Sequence, residues 1–415
     1  MGGDGIRAVA GGFGVEDKGE RTLQEEEIMA GGGRKAMIKK VAVAGAGVGV
    51  GIVGLNRLLQ ATPLHPQARV AVNLLVVAVA LVSWWQTTIT AASAKRDSDK
   101  SDGLREIWKP AVARVERKPV QLPFADHRFW NFIVFPKTYF LRKFASRDVV
   151  VFSVFVFMHT ACLLAPFTFT WRALALCLGL HIITGMVGIT FSFHRQLTHR
   201  SFSTPKWLEY LCAWIGCLAL QGDPIEWCSA HRHHHVQCDT EEDPHSPFDG
   251  FFWSHMGWMW NERETGILQD TSNVPDLWRQ PFYRFLRSTY PIHPTILAVA
   301  LYLMGGLPFL IWGVAVRTVL LWHVTWLVNS ASHVWGFQTW KTGDLSMNNW
   351  WVGLLAFGEG WHNNHHAFED SARHGLEWWQ IDVTWYLIRV LKLLGLADNV
   401  RLPSQKKMDK LRLAQ

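Results

Sequence analysis

Charge is scarce in this sequence. Only 18% of its 415 residues are Asp, Glu, Lys or Arg, where a soluble chain of this size carries about a quarter, so a string of soluble domains is excluded. A disulfide scaffold is excluded as well. The six cysteines (Cys162, Cys177, Cys212, Cys217, Cys228, Cys238) follow no pairing pattern and sit mostly in apolar surroundings, as reduced, packed thiols do. No internal repeat is present, and acidic residues are absent from 28–96. The net charge is +7, but the Lys and Arg flank apolar runs instead of forming one basic stripe. Anionic lipid headgroups therefore fit as the counter-charge and nucleic acid does not.

What is present is apolar length. Windows free of charge cover 70–94, 149–171, 173–194, 288–316 and 318–340, each long enough for the about 20 residues a helix needs to cross a bilayer. Windows 210–222 and 345–358 are too short to cross and read as buried or interfacial pieces. Arg172 and Arg317 divide the four later windows into two pairs, read as tight helical hairpins. Arg142, Lys143 and Arg147 before the first hairpin, and Arg195, Arg200 and Lys206 after it, place both hairpin ends on the cytosolic or stromal side. The expected architecture is an all-α integral membrane protein: four transmembrane helices (about 149–171, 173–194, 290–316 and 318–338) in two hairpins, under a histidine-rich helical cap.

Residues 1–125 read as a leader and linker, 126–400 as the membrane domain and 401–415 as a polar tail. The segment 70–94 is either an extra N-terminal span or part of an organellar targeting region. Residues 376–396 read as a helix along the membrane surface, and the Trp pairs 84–85, 350–351 and 378–379 as interface belts.

Nineteen histidines are the unusual feature. Three clusters stand out: His194/His199, His231/His234/His235 and His362/His365/His366, with Asn329 and His333 as a fourth element. Spacing i, i+3, i+4 puts three imidazoles on one helix face, close enough for a shared ion. His194 and His199, about 140° apart on an ideal helix, suit a frayed end or two different ions. Because every cluster falls on the same side of the membrane, nine imidazoles converge, more than one ion uses, which points to two ions. Satisfied core or surface histidines account for His65, His127, His159, His181, His293 and His323. His233 faces away from its neighbours, and His245, His255 and His374 read as supporting or surface groups.

Glu242-x-x-His245 and Glu359-x-x-His362 match the pattern of soluble di-iron bundles, but Pro244 and Gly360 oppose long helices there. Glu226, Asp239, Asp243 and Glu359 fit better as acceptors for the outer N–H of ligating imidazoles. Glu241 and Glu242 read as a solvated loop.

The box spacings His-x4-His, His-x2-His-His and His-x2-His-His resemble those of the membrane-bound fatty-acyl desaturases of the Δ9 type. So do FHRQLTHRSF (193–202), the stretch 223–258, NSASH (329–333) and GEGWHNNHH (358–366). The similarity runs from about 148 to 400 and is strongest to the plant and algal acyl-lipid branch, whose plastid members desaturate palmitoyl chains on galactolipid. The resemblance implies two irons (Fe2+/Fe3+) held by His194, His199, His231, His234, His235, His333, His362, His365 and His366, with Asn329 reaching one iron through water. It also implies an acyl tunnel, dioxygen as oxidant, and ferredoxin or a membrane haem cytochrome as electron donor.

Where acyl-CoA members of that family keep charge, this chain has Ser229-Ala230 and Phe248-Asp249, which favours a glycerolipid-bound chain over a CoA ester. An acyl hydroxylase with the same metal centre and a His-rich metal transporter are the rival readings. The transporter would place its ligands mid-span.

Overall fold

The computed structural model describes residues 146–240, 242–260 and 271–413; the expected leader, the segment 70–94 and the boundary at 125 lie outside them. Among the described residues the chain is all-helical, with isolated bridges such as Phe337 to Asn348 and Asn348 to Trp361 but no strand. Helix α1 is Ser146–Cys162. Helix α2 is Trp171–Thr198, α-helical to His181 and π-helical from Ile182. Thr170 starts α2 by accepting from Ala173 N–H, filling one of the orphan donors of a first turn. After α2 come α3 (Lys206–Cys217) and α4 (Pro224–Gln237).

Among the described residues two stretches are long and apolar enough to cross a membrane: α2, with 28 residues, and Ile292–His333, with 42. The 28 residues of α2 exceed the about 20 that a helix needs to cross about 30 Å of hydrocarbon. Its last turns, with His194 and Arg195, therefore stand beyond whatever slab its first twenty residues fill.

The 42-residue stretch is not straight. It comprises α5 (Ile292–Leu310), a π turn at Ile311–Val316 and α6 (Arg317–Asn329). Gly306 breaks it with φ 64° and ψ −152°, a conformation open in practice only to glycine. Leu301 then lies against Gly313, close enough that a Cβ there would meet it at 2.8 Å, although twelve residues of straight helix would separate them by about 18 Å. The chain turns back at Gly306, with Pro308 just beyond.

That corrects the break expected at Arg317. Arg317 lies inside the helix, fully buried, with Nε donating to Gly313 O (3.1 Å) and Nη1 to Leu218 O (2.8 Å). Leu218 caps the C-terminus of α3, so the guanidinium meets the negative end of a helix dipole and needs no carboxylate. Arg172 likewise sits in the first turn of α2, and the reversal before it occupies 163–170. Both α1 and α2 pack against 311–316.

Aromatic packing divides by depth. Phe155, Trp322 and Trp326 stack with centroids 4.7–5.7 Å apart and Trp260 edge-on to Phe155, whereas Trp350 and Trp378 are exposed. Gly306→Val should cost about 1–3 kcal/mol by forcing a branched side chain into that backbone conformation, seen as a lower thermal midpoint in detergent. Gly179→Ala, where an added Cβ meets nothing within 4 Å, should produce no such drop.

Candidate metal centre

Asp223 nucleates α4, accepting from the N–H groups of Ile225 and Glu226 while Pro224 takes the first helical position. His231, His234 and His235 follow in its last turns. His362, His365 and His366 lie on the six-residue helix α7 (His362–Ala367), too short to hold itself. The asparagines between its histidines fix it: Asn363 Oδ1 accepts from the N–H groups of Thr339 and Trp340, and Asn364 Oδ1 accepts from Trp340 Nε1 and Asn348 Nδ2. Gly360 precedes α7 because a Cβ there would sit 2.1 Å from Gly353 N.

The nine imidazoles form two groups. One contains His194, His199, His231, His235 and His365; the other contains His234, His333, His362 and His366. Each box on α4 and α7 therefore straddles both groups, instead of aiming three rings at one shared ion. His194 and His199 share a group because the π-helix, with i→i+5 bonding, brings residues five apart back to one side: His199 N–H donates to His194 O and the rings are 4.8 Å apart.

Within the groups the Nε2 atoms face one another. His194 to His365, His365 to His235, and His235 to His231 are 3.0–3.1 Å apart, and His362 to His333 is 3.0 Å. The outer nitrogens face carboxylates: His194 Nδ1 lies 2.7 Å from Glu359, His234 Nδ1 3.0 Å from Asp243, His333 Nδ1 3.2 Å from Asp239 and His366 Nδ1 3.1 Å from Asp344. A carboxylate at Nδ1 assigns the ring proton there and leaves an inward lone pair on Nε2. A proton on His365 Nε2 can bridge to His194 or to His235, not well to both. His199 Nε2 and His366 Nε2 are buried without a hydrogen-bond partner. Facing lone pairs repel unless a cation lies between them, and nitrogens about 2.1 Å from one ion at right angles stand about 3.0 Å apart. The donor set fits metal ions in both groups, and nitrogen-only donation suits iron, copper, nickel or zinc.

Electrostatics agree. Burial drives His231, His234, His362 and His365 well below the usual imidazole range, so they are neutral and available as ligands. Burial would raise Asp239, but the His333 imidazole against it brings its carboxyl down to about 2. Asp344, facing His366, and Glu359, facing Arg195, His194 and His374, are likewise held well below the carboxylate range despite burial.

The fatty acid desaturase family model matches residues 169–392. The chain is 60% identical over 265 residues (64% of this chain, 71% of the relative) to the chloroplastic palmitoyl-monogalactosyldiacylglycerol delta-7 desaturase of Arabidopsis thaliana. It is 52% identical over 268 residues (64% and 87%) to the Delta-9 acyl-lipid desaturase 1 of that plant, and 51% identical over 272 residues (65% and 86%) to the acyl-CoA C20 Delta5-desaturase of Anemone leveillei. The chain belongs to the fatty acid desaturase family.

In this desaturase a cavity of about 550 Å³ runs up to the imidazoles, within the range of sites that enclose small molecules. His194, His231, His245, Asn329, Glu359 and His362 line one part; the rest is mostly apolar, with Phe155, Ile189, Leu321, Trp322 and Trp326 among its walls. Asn329 ends α6, half-buried at this wall.

One expected role changes and the others hold their place. Glu226 pairs with the Arg147 guanidinium instead of orienting an imidazole. Glu242 is exposed, and Glu359 turns its carboxylate to His194, His374 and Arg195, so neither Glu-x-x-His pattern acts as in a carboxylate-bridged bundle. His245 lies ring against ring with His234 at 4.2 Å, its Nδ1 3.6 Å from Asp243.

Three supports have little or no mark in the sequence. His374 is buried, 4.4 Å from the His365 ring, with Nδ1 3.0 Å from Glu359. Asp344 holds His366. Arg195, fully buried beside His194, reaches both Glu359 (3.0 Å) and Asp382 (2.9 Å). In the sequence Arg195 stands out only as a cation at the end of the 173–194 window and His374 only as a supporting or surface group, while Asp344 carries no signal. Removing a carboxylate that orients a ligating imidazole typically costs 10–100-fold in metal affinity. Asp344→Asn should therefore weaken the four-imidazole group by about that factor and spare the five-imidazole group, giving a two-phase anaerobic Fe2+ titration where the parent protein gives one.

Proposed function

We propose that the chain is an integral membrane acyl-lipid desaturase of a plastid membrane that introduces a cis double bond into a saturated chain, palmitoyl on a neutral glycerolipid. The observation that carries this reading is the pair of nitrogen-only groups, lone pairs inward, at one end of an apolar cavity. Two irons would be held by the five- and four-imidazole groups, with Asn329 reaching one of them through water. When bound, they supply the chemistry that couples reduction of dioxygen to removal of one hydrogen from each of two adjacent methylenes.

The chain's own residues do the rest. Ile189, Leu321 and Thr325 bound the space in which the acyl chain lies, so that one pair of methylenes is held at the imidazoles, and positioning of this kind is the protein's share of the catalysis. Glu359, Asp243, Asp239 and Asp344 keep their imidazoles oriented. Four spans are proposed: α1, α2 and the two arms either side of Gly306. Phe167, in the 163–170 turn, and Ser404, just before the C-terminal helix, are both exposed. Phe167→Cys and Ser404→Cys should then take up a membrane-impermeant thiol reagent from opposite faces of sealed vesicles; labelling from one face contradicts the topology.

The lipid-linked substrate follows from the missing cations. Ser229 is buried and exchanges hydrogen bonds with Asn273 (2.7 and 2.9 Å), and Ala230 lines the cavity. Neither offers a donor to phosphate, and each charge-assisted contact so lost is worth about 1.5–3 kcal/mol. The 60%-identical Arabidopsis relative, named for palmitoyl-galactolipid, supports the same substrate; the Anemone relative, named for an acyl-CoA, supports the alternative. With purified enzyme, reductant and an electron carrier, labelled palmitoyl-galactolipid in vesicles should become monounsaturated. Efficient turnover of palmitoyl-CoA alone would refute the lipid-linked assignment.

A further inference from the structure

Desaturation consumes electrons that the cavity does not supply: two methylenes, one dioxygen, two electrons and two protons give one double bond and two waters. On the desaturase reading, upon which the inference rests, those electrons must enter from the protein surface.

The C-terminal helix α9 (Gln405–Leu411), following α8 (Val383–Leu393) in the chain, lies beside the third histidine box. Its apolar side chains, Met408 and Leu411, pack on Trp340, Ala367 and Phe368. The main chain fastens it there: Lys341 N–H donates to Leu411 O at 2.7 Å and Leu413 N–H to Thr339 O at 3.0 Å. Outward it presents Lys406, Lys407 and Lys410, flanked by Lys341, Arg401 and Arg412, all exposed. Asp409 and Asp370, the latter 3.9 Å from Lys407, offset only part of that charge.

Two of these cations sit over buried rings. Arg412 stands 5.3 Å above Trp340, and Lys407 stands 5.4 Å above Phe368. Trp340 Nε1 donates to Asn364 Oδ1 at 2.8 Å, and Asn364 is joined by one peptide bond to His365, whose Nε2 faces His194 and His235. From the basic surface to the five-imidazole group the path is one indole, one hydrogen bond and one residue of backbone.

A bilayer does not fit this surface. Helix α8 leaves Val390, Leu393 and, just past its end, Leu394 exposed, as a membrane-lying helix does, whereas the apolar side of α9 is already spent on Trp340 and Phe368. What α9 itself turns outward is charge, with the exposed Leu402 just before it, a face suited to steering an acidic protein.

We infer that α9 and its flanking cations are the docking surface for a small acidic one-electron carrier protein, and that Trp340 and Asn364 conduct its electron to the imidazole cluster. Each docking oxidises one carrier by one electron, so each double bond requires two.

The test uses the full chain, iron-loaded in neutral-lipid nanodiscs, with a plant-type ferredoxin as probe and dithionite as a small reductant that needs no docking. Reversing Lys406, Lys407 and Lys410 together to Glu should weaken ferredoxin binding about tenfold or more and flatten its dependence on salt, with dithionite-driven turnover unchanged. Trp340→Phe, which keeps a ring but loses the hydrogen bond, and Trp340→Leu should each leave ferredoxin binding intact and lower the ratio of ferredoxin-driven to dithionite-driven turnover, the Leu variant more. Unchanged ferredoxin affinity in the triple reversal, including the case in which only attachment to anionic lipid vesicles changes, overturns the docking surface. Equal loss with both reductants in both Trp340 variants overturns the conduit. Absence of product from the unmodified chain with either reductant would instead refute the desaturase reading.

Discussion

Repulsion among inward-facing imidazole lone pairs is the constraint on which the rest of this molecule depends. Buried carboxylates hold protons on the outer nitrogens of His194, His234, His333 and His366, which leaves their Nε2 lone pairs facing inward, those of His194 and His333 toward imidazoles about 3 Å away. Without cations between them this arrangement opposes folding, and with cations it becomes the strongest cross-link in the cap. On the proposed reading, metal binding would help to fold the segments that carry these imidazoles, the boxes on α2, α4 and α7 and the lone His333.

The scaffold is organised to hold that geometry from short elements. Helix α2 is longer than the about 20 residues a span needs, so a bilayer placed on its first twenty residues would leave His194 beyond the hydrocarbon. Arg195 then clamps Glu359 on one side and Asp382, the N-cap of α8, on the other, which couples the first box to the third and to the C-terminal region. Helix α7 has too few turns to persist alone, and Asn363 and Asn364 between its histidines supply by side chain the anchoring that its own backbone cannot. Arg232, between His231 and His233, donates to the carbonyl oxygens of Leu197, Thr198 and Asn273 and to Asp276, tying α4 to the end of α2.

Much of this was legible in the sequence because histidine has few structural uses in apolar surroundings: the convergence of the nine imidazoles, the nearness of Asp239, Asp243 and Glu359 to their outer nitrogens, and the helical class followed from residue type and spacing. What could not be read were features set by partners distant in the chain. Arg172 and Arg317 looked like breaks because charge opposes burial, yet a carbonyl-rich helix end accommodates Arg317, and Gly306 with Pro308 makes the reversal. An ideal α-helix separates His194 from His199; the π-helical winding that unites them has no sequence mark. Asp344 is a single residue in a loop, placed by the third box only once it has folded, His374 reads in the sequence only as a supporting or surface group, and Glu226 sits in the right neighbourhood but is taken by Arg147.

The central claim is that two ions lie in two separate nitrogen-only groups. Anomalous diffraction at the iron absorption edge on crystals of the iron-loaded protein measures it directly. The account predicts two peaks, one amid His194, His199, His231, His235 and His365 and one amid His234, His333, His362 and His366, with no carboxylate oxygen of Glu359 or Asp344 within bonding distance of either. A single peak, or two irons bridged by a carboxylate, would contradict it.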